Sequence, residues 1–394
     1  MRIALVTNLP PPYRIPIFNR LARWPGIDFH AIFCVRCEPN RLWDLPESKF
    51  QQHFLRESFL TYRDRYIHHN PDVIPLLLRL KADVIITDGF NPTHLYAFFV
   101  ARLKNCAHVA MTDGTQTSER SLSLAHRLVR RMVYRGSRSF IAASEDGKRL
   151  YRSYGIADTC CFYSWLCVSN ERFKPKPNTN RPFDFMYCSR MEPSKDPLFA
   201  LRVARETAKR LQRRTRLLFV GSGSLDAILR EQARVNTEWV DVAFQGFATQ
   251  QALPSLYQRA KIFLFPSHAD VWGVVANEAC ASGCPVLVSP RAGVAGELVV
   301  DGQNGYVREL DVSKWADCAR DLLQDVTQWQ AFSQRSLERV RRYNFDSAAA
   351  GIVDACRYAL DLQVNEKRSG GADTRARSGR PGDPAATAAA LTRS

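Results

Sequence analysis

The sequence predicts an α/β protein of two domains, and three observations predict it. Short apolar runs with the length of buried parallel strands alternate with segments of helical periodicity along most of the chain. A polar stretch, residues 174–181 with Pro175 and Pro177, breaks this alternation near the middle. The 394 residues are enough for a separate core on each side of it. The domains are therefore expected at residues 1–174 and 181–343, with a last helix at 345–361. Residues 364–394, rich in Arg, Gly, Ala, Ser and Thr, read as a disordered tail.

The first domain opens with a strand at residues 2–7 and a stiff loop, Asn8-Leu-Pro-Pro-Pro-Tyr13-Arg14. A helix follows, with Phe18, Leu21 and Ala22 on one face. A strand–loop–helix start is where α/β domains place substrate loops, so Tyr13 and Arg14 are candidate contacts for a substrate. The plainer role is that proline stiffens the loop and Tyr13 packs. Further strands are expected at 29–34, 83–87, 107–112 and 138–143, and a helix at 75–80. Residues 39–70 read as an extended loop with a short strand near Phe54.

After the strand at 107–112 comes Asp113-Gly-Thr-Gln-Thr-Ser-Glu119, a polar loop at a strand's carboxyl end. Asp113 could take or orient a substrate hydroxyl's proton, or form an Asx turn that caps the next helix. Residues 121–135 are amphipathic. Leu122, Leu124, Leu128, Val129, Met132 and Val133 cover one side, and Arg127, Arg130, Arg131 and Arg135 the other. Such a helix can lie on an anionic membrane surface or pack its apolar face on its own sheet. Ser144-Glu-Asp-Gly147 reads as the cap of a helix running to Tyr154.

In the second domain a strand at 183–188 leads into Ser189-Arg190-Met-Glu-Pro-Ser-Lys195-Asp196 and a helix from Leu198. Cations held at a strand end suit a diphosphate. A strand at 240–247 ends in Gly246-Phe247. The richest stretch is 263–288: a strand, the loop Pro266-Ser-His-Ala-Asp270-Val-Trp272-Gly273, a helix containing Glu278, then Gly283-Cys-Pro285 and a strand. Asp270 and Glu278 flank that helix N-terminus, where the amides of Trp272, Gly273 and Val274 are expected to be free. Amides bind anions and carboxylates bind hydroxyls. A sugar joined to a nucleotide diphosphate presents both.

These motifs resemble the donor site of retaining, GT-B-fold glycosyltransferases of family four, the glycosyl transferases group 1. Asp270 stands where the family's first Glu is usual, Trp272 where Phe is usual, and Glu278 matches. Arg190 and Lys195 match the family's Gly-Arg-Leu, spacer, Lys-Gly motif, with Ser189 and Asp196 in place of its glycines. The segment from Ser289 through Gly293, Gly296 and Glu297 resembles its glycine turn and acid. The resemblance implies two Rossmann-like domains facing across a cleft, with the C-terminal helix crossing back to the first. It implies glycosyl transfer from a UDP- or GDP-sugar to an acceptor hydroxyl with retention, with no cofactor and no metal. Arg190 and Lys195 would neutralise the diphosphate with the amides at Trp272, Gly273 and Val274. Glu278 would take the ribose diol, Asp270 the sugar hydroxyls, and the backbone after Phe247 would meet the base. Tyr13 and Arg14 fall on the acceptor side, and Asp113 sits where the family often has a His. Two other readings share the pocket: a sugar-nucleotide epimerase, and a catalytically silent sugar-nucleotide-binding subunit.

The net charge is +16, of which about +13 lies ahead of residue 364. That balance suits an anionic partner, and no nucleic-acid motif accompanies it. A glycan or lipid-linked acceptor of bacterial polysaccharide synthesis is the family's usual setting. Cys34 and Cys37 lack a second ligand pair, and the eleven cysteines read as reduced. No apolar stretch is long enough to span a bilayer. The start reads as a strand and not as a signal peptide. The expected place is the cytoplasm, with peripheral association at the inner face of the cell membrane.

Overall fold

The computed structural model describes residues 1–39, 45–62, 65–119, 122–176 and 180–376. In the first domain the strands are Arg2–Thr7 (β1), Asp28–Phe33 (β2), Gln51–Phe54 (β3), Phe59–Tyr62 (β4), Arg65–His68 (β5), Val84–Asp88 (β6), Ala107–Thr112 (β7), Ser139–Ala142 (β8) and Cys161–Tyr163 (β9). The helices between them are Ile15–Leu21 (α1), Val73–Leu80 (α2), Pro92–Leu103 (α3), Gln116–Glu119 (α4), Leu124–Arg135 (α5) and Glu145–Ser153 (α6). Seven strands form one parallel sheet in the order β3-β2-β1-β6-β7-β8-β9. β1 is buried along all but its first residue, as a central parallel strand covered on both faces must be.

Asn170–Phe173 (α7) leads to the second domain. Its strands are Phe183–Cys188 (β10), Thr215–Val220 (β11), Val240–Gly246 (β12), Ala260–Phe265 (β13), Val286–Val288 (β14) and Gly305–Val307 (β15). Its helices are Pro197–Leu211 (α8), Asp226–Arg234 (α9), Leu253–Tyr257 (α10), Val274–Ala281 (α11), Val312–Gln324 (α12) and Val326–Val340 (α13). The second sheet is parallel, in the order β12-β11-β10-β13-β14-β15. β10 is wholly buried and central.

Two expectations change. The short strand expected near Phe54 is β3, which extends the sheet, but beyond it β4 pairs with β5 in an antiparallel hairpin where a loop was expected. The final helix, Phe345–Ala376 (α14), runs through residues 364–376, where disorder was expected. Extending a helix whose first turns are already packed adds one hydrogen bond per residue without a new nucleation cost. The rest of the expected tail, 377–394, and the linker's middle, 177–179, lie outside the described residues.

The stem of α14 crosses back to the first domain. Ile352, Val353, Cys356 and Ala359 are buried there, and the Ser139 hydroxyl donates to the Ala355 carbonyl at 2.8 Å. Gly351 permits this approach, since a Cβ there would stand 1.8 Å from the Tyr163 carbonyl oxygen.

α5 begins at Leu124, capped by Ser123. Residues 120–121 lie outside the described residues. Of its apolar side only Val133, at the last turn, packs against the sheet. Leu124 is 77%, Leu128 64% and Met132 39% exposed, while Val133 and Tyr134 alone among its residues are buried. Arg130 also departs from the polar face: it pairs with Glu119 at 3.2 Å and lies over Phe90.

Candidate active site in the cleft

Each sheet reverses its strand order once, the first between β1 and β6 and the second between β10 and β13. Loops that diverge at such a point leave a crevice at the strands' carboxyl ends. The two domains line a shared cavity of about 740 Å³. Thr115, Ser118, Asp146 and Arg149 come from the first domain, and His268, Asp270, Arg291, Gly293 and Glu297 from the second.

On the second domain's side, the loop after β10 carries Arg190 and Lys195, and the loop after β13 carries Asp270. Lys195 Nζ donates to Asp270 Oδ2 at 2.6 Å, and also lies 3.3 Å from Ser267 Oγ and 3.4 Å from the Ala269 carbonyl oxygen. Arg190 is exposed beside this pair's loop. Asp196 explains how a residue other than glycine serves the turn. It takes the left-handed conformation, φ 41°, which Asp tolerates, and its side chain accepts from the Phe199 amide at 2.9 Å, capping α8.

The Asp270 backbone is zipped to the glycine turn: its amide donates to the Arg291 carbonyl at 3.2 Å, and the Gly293 amide donates to its own carbonyl at 3.0 Å. This fixes the carboxylate at the mouth of the crevice. Its Oδ1 accepts from the Trp272 amide at 3.2 Å. That corrects one expectation: the Trp272 amide is not free. The Trp272 ring is buried, donates to Asn277 Oδ1 at 2.8 Å and packs on Tyr343. A large indole is more stable inside the core with its N–H paired than in an open crevice.

Gly273 starts α11 with φ 107°, and a Cβ there would stand 2.3 Å from the Phe265 ring. Gly273→Ala is expected to cost about 1–3 kcal/mol of stability, measured by urea denaturation, because both the backbone and the ring must shift. An unchanged midpoint would show that the turn relaxes freely. The first amides of α11, from Val274 onward, begin at this glycine.

Glu278 lies one turn further in, 5% exposed, in the company of Cys188 and Tyr257. Burial pushes its carboxyl up to about 7. An acid whose folded pKa is raised favours the folded state most while protonated. Its contribution is full below about pH 4.5, the ordinary value, and is lost as pH rises through 7. The stability difference between wild type and Glu278→Gln is therefore expected to change by roughly 3 kcal/mol between pH 4.5 and 8, at about 1.4 kcal/mol per unit. Urea titrations across that range check it, and parallel curves would place the carboxylate in a wetter setting. Phe247, at the carboxyl end of β12, is 67% exposed.

On the first domain's side, Arg14 is turned inward and not toward a ligand. Its side chain is 1% exposed; Nη1 donates to the Ser164 carbonyl and hydroxyl at 3.0 and 2.9 Å, and Nη2 to Asp113 Oδ1 at 2.5 Å. The reason is that a buried guanidinium must find acceptors for its donors. Tyr13 is partly buried against the core. Asp113 keeps 29% of its side chain exposed. Thus Arg14 and Asp113 come together, Lys195 and Asp270 come together, and the cavity lies between the domains that hold the two pairs.

Sequence reasoning missed one acid, Asp88, and left the partners of another, Glu297, unread. Asp88, at the end of β6, accepts from the Thr7 hydroxyl at 3.1 Å and lies beside Arg14 and Asp113. The available signal was a carboxylate at the carboxyl end of a strand next to β1. Glu297 reaches across the domain boundary, accepting from the Glu145 amide at the start of α6 at 2.9 Å and from the Tyr343 hydroxyl at 3.4 Å. Burial pushes its carboxyl up to about 7. Only the packing of the two domains reveals this clasp.

Residues 168–339 match the family model of the glycosyl transferases group 1. The glycogen synthase of Mycobacterium tuberculosis is 31% identical over 187 residues, which cover 47% of this chain and 45% of that protein. A D-inositol 3-phosphate glycosyltransferase of Nocardia farcinica is 29% identical over 181 residues, 44% of this chain and 40% of that one. These matches span less than half the length of those curated relatives. HepE of Anabaena, solved in complex with UDP, superposes with a TM-score of 0.71 at 14% identity, covering 90% of this chain and 99% of HepE. The second domain is thus similar to the glycosyl transferases group 1, and the chain carries the two-domain GT-B fold.

Proposed function

We propose that this chain moves a glycosyl group from a nucleotide-diphosphate sugar to an acceptor hydroxyl, with retention at the transferred carbon. The observation that carries this reading is the Lys195–Asp270 pair at the second sheet's crevice, beside the start of α11 and facing the first domain across the cavity. Arg190, Lys195 and the first amides of α11 meet the diphosphate's charge without calling on a metal ion. Asp270 takes sugar hydroxyls and Glu278 the ribose diol. The backbone after Phe247 meets the base. The bond from the sugar's anomeric carbon to the diphosphate oxygen breaks, the bond to the acceptor oxygen forms on the same face, and the acceptor's proton passes to the leaving diphosphate. Asp113 assists by orienting the acceptor. The names of the relatives, a glycogen synthase and a D-inositol 3-phosphate glycosyltransferase, favour transfer over epimerisation or silent binding, and UDP in HepE favours a uridine donor.

A panel of UDP, GDP, ADP and their sugars tests the donor. At a hundred times its dissociation constant a ligand adds about 2.7 kcal/mol of stability, a plain thermal shift. No shift with any of them would sink the reading. Labelled donor then separates transfer from donor conversion without incorporation.

The acceptor setting we propose is a polysaccharide or lipid-linked oligosaccharide at an anionic membrane face. Leu124, Leu128 and Met132 stand exposed on α5, with Arg127, Arg131 and Arg135 exposed on the same helix. Among the described residues no helix is long and apolar enough to cross a membrane. Vesicles containing phosphatidylglycerol should pull down the wild type and release Leu124→Gln/Leu128→Gln. Equal sedimentation of both would remove the helix from this role.

A further inference from the structure

The first domain carries its own charged set where its strand order reverses, between β1 and β6. Thr7, the last residue of β1, donates its hydroxyl to Asp88 Oδ2 at 3.1 Å. The groups that face Asp88 are Thr7 from β1, Arg14 from the loop before α1, Asp113 from the loop after β7, and Tyr151 from α6. Arg14 is committed elsewhere: both of its terminal nitrogens are engaged by Ser164 and Asp113. Its Nε, buried in the same place, is a donor with no hydrogen-bond partner.

The set therefore holds two carboxylates and one guanidinium, and the guanidinium is bonded to Asp113. Asp88 receives one hydrogen bond from Thr7, and a carboxylate can accept about four. It is half-buried at the carboxyl end of its strand, at the crevice where ligands of open α/β sheets sit. The loop that begins at Asp113 continues to Thr115 and Ser118 on the cavity wall. A hydroxyl brought here finds an acceptor in Asp88. A phosphate brought here finds two carboxylates, and the nearest cation already neutralised.

We propose that Asp88 is an acceptor-binding carboxylate, and that the acceptor group it takes is a hydroxyl of a neutral polyol and not a phosphate. This rests on the transfer reading given above. It assigns the reacting end of the acceptor to the first domain's switch point, as the donor is assigned to the second's. It also separates local charge from global charge, for the +16 of the whole chain does not extend to this spot. Burial and Asp113 push the Asp88 carboxyl up to about 7, and either protonation state can still hydrogen-bond a hydroxyl.

The test uses the full chain and whichever nucleotide sugar stabilises it in the donor panel. Nucleotide release is followed with glycerol, myo-inositol and methyl α-glucoside, and with glycerol 3-phosphate, inositol 3-phosphate and glucose 6-phosphate. At least one neutral polyol should accelerate release at least tenfold more than its phosphorylated counterpart. Asp88→Asn should raise the KM for that polyol tenfold or more while leaving the donor's KM and its thermal shift unchanged. Thr7→Val should move the same constant in the same direction by less, and Asp88→Glu should restore part of it. A merely structural role would shift the donor constants too. The proposal is overturned if phosphorylated compounds accelerate release as well or better, if no polyol accelerates it although donor binds, or if Asp88→Asn keeps the wild-type acceptor KM. Failure of every nucleotide sugar to bind is a different result, and it removes the transfer reading itself.

Discussion

Lys195→Ala is expected to weaken nucleoside-diphosphate binding by roughly 10- to 150-fold. A hydrogen bond to a charged group contributes about 1.5–3 kcal/mol, and each 1.4 kcal/mol is tenfold. The position supports the upper half of that range. Lys195 Nζ is held by Asp270, Ser267 and the Ala269 carbonyl, so its ammonium is already oriented at the crevice and little freedom remains to be lost on binding. Its side chain is 14% exposed and that of Asp270 20%, so the charges sit in a setting where screening by water is weak. The truncation also leaves Asp270 with the Trp272 amide and no cation. Asp270 then repels the incoming diphosphate instead of being neutralised. The double variant Lys195→Ala/Asp270→Asn is therefore expected to recover part of the nucleotide affinity while remaining poor in sugar discrimination. Calorimetric titration with UDP and GDP on all three proteins checks this. Wild-type affinity in Lys195→Ala would move the diphosphate away from this loop.

The second large effect is on the fold. Arg14→Met is expected to destabilise the chain by about 3–5 kcal/mol, the cost of breaking a buried ion pair from one side. The side chain spans from the loop before α1 to the Ser164 carbonyl after β9 and to Asp113 after β7, tying together three loops at the carboxyl ends of the first sheet's strands. Methionine fills much of the volume and supplies none of the donors. Lysine is not expected to rescue it, because one ammonium cannot send donors to Ser164 and Asp113 along two directions as the planar fork does. The further variant Asp113→Asn should lose less, since an amide still accepts from Arg14. Urea denaturation followed by far-ultraviolet circular dichroism measures all three. A loss under 1 kcal/mol for Arg14→Met would mean that the loops hold without this tie.

Most of the fold is legible in the residues, for reasons that can be named. The strands that became β1, β6, β7, β10 and β13 are short apolar runs, and a parallel strand covered on both faces can hardly read otherwise. Ser144 was legible as a cap because its role is local: its hydroxyl accepts from the Gly147 amide three residues on, at 3.0 Å. The hairpin of β4 and β5 was not, since its strands are only four residues each and supported by distant partners, among them the buried His68–Glu38 contact at 3.0 Å. The reach of α14 was also hidden, because Gly and charged residues in 364–376 read as tail when the packed stem before them is not in view.

The candidate site divides along the same line. Which residue types stand at the strand ends and at the helix start is a matter of sequence: Arg190, Lys195, Asp270 and Glu278 stand out by their spacing around strands and one helix start. What each side chain is bonded to is not, because those partners are far away in the chain. Lys195 meets Asp270 across 75 positions and Arg14 meets Asp113 across 99. Burial decided the rest. Trp272 and Arg14 read as contacts for a ligand and are instead enclosed, the indole against Tyr343 and the guanidinium against Ser164 and Asp113. Asp88 gains meaning only from its neighbours, and only packing shows Glu297 reaching the other domain. The sequence by itself determined the alternation of strands and helices, the two-domain division and the chemical inventory of the crevices, since each depends on local patterning and spacing. Only the tertiary structure decided which of those groups face the cleft, which neutralise one another and which carboxyls are pushed toward 7, since pairing and desolvation arise when distant segments pack.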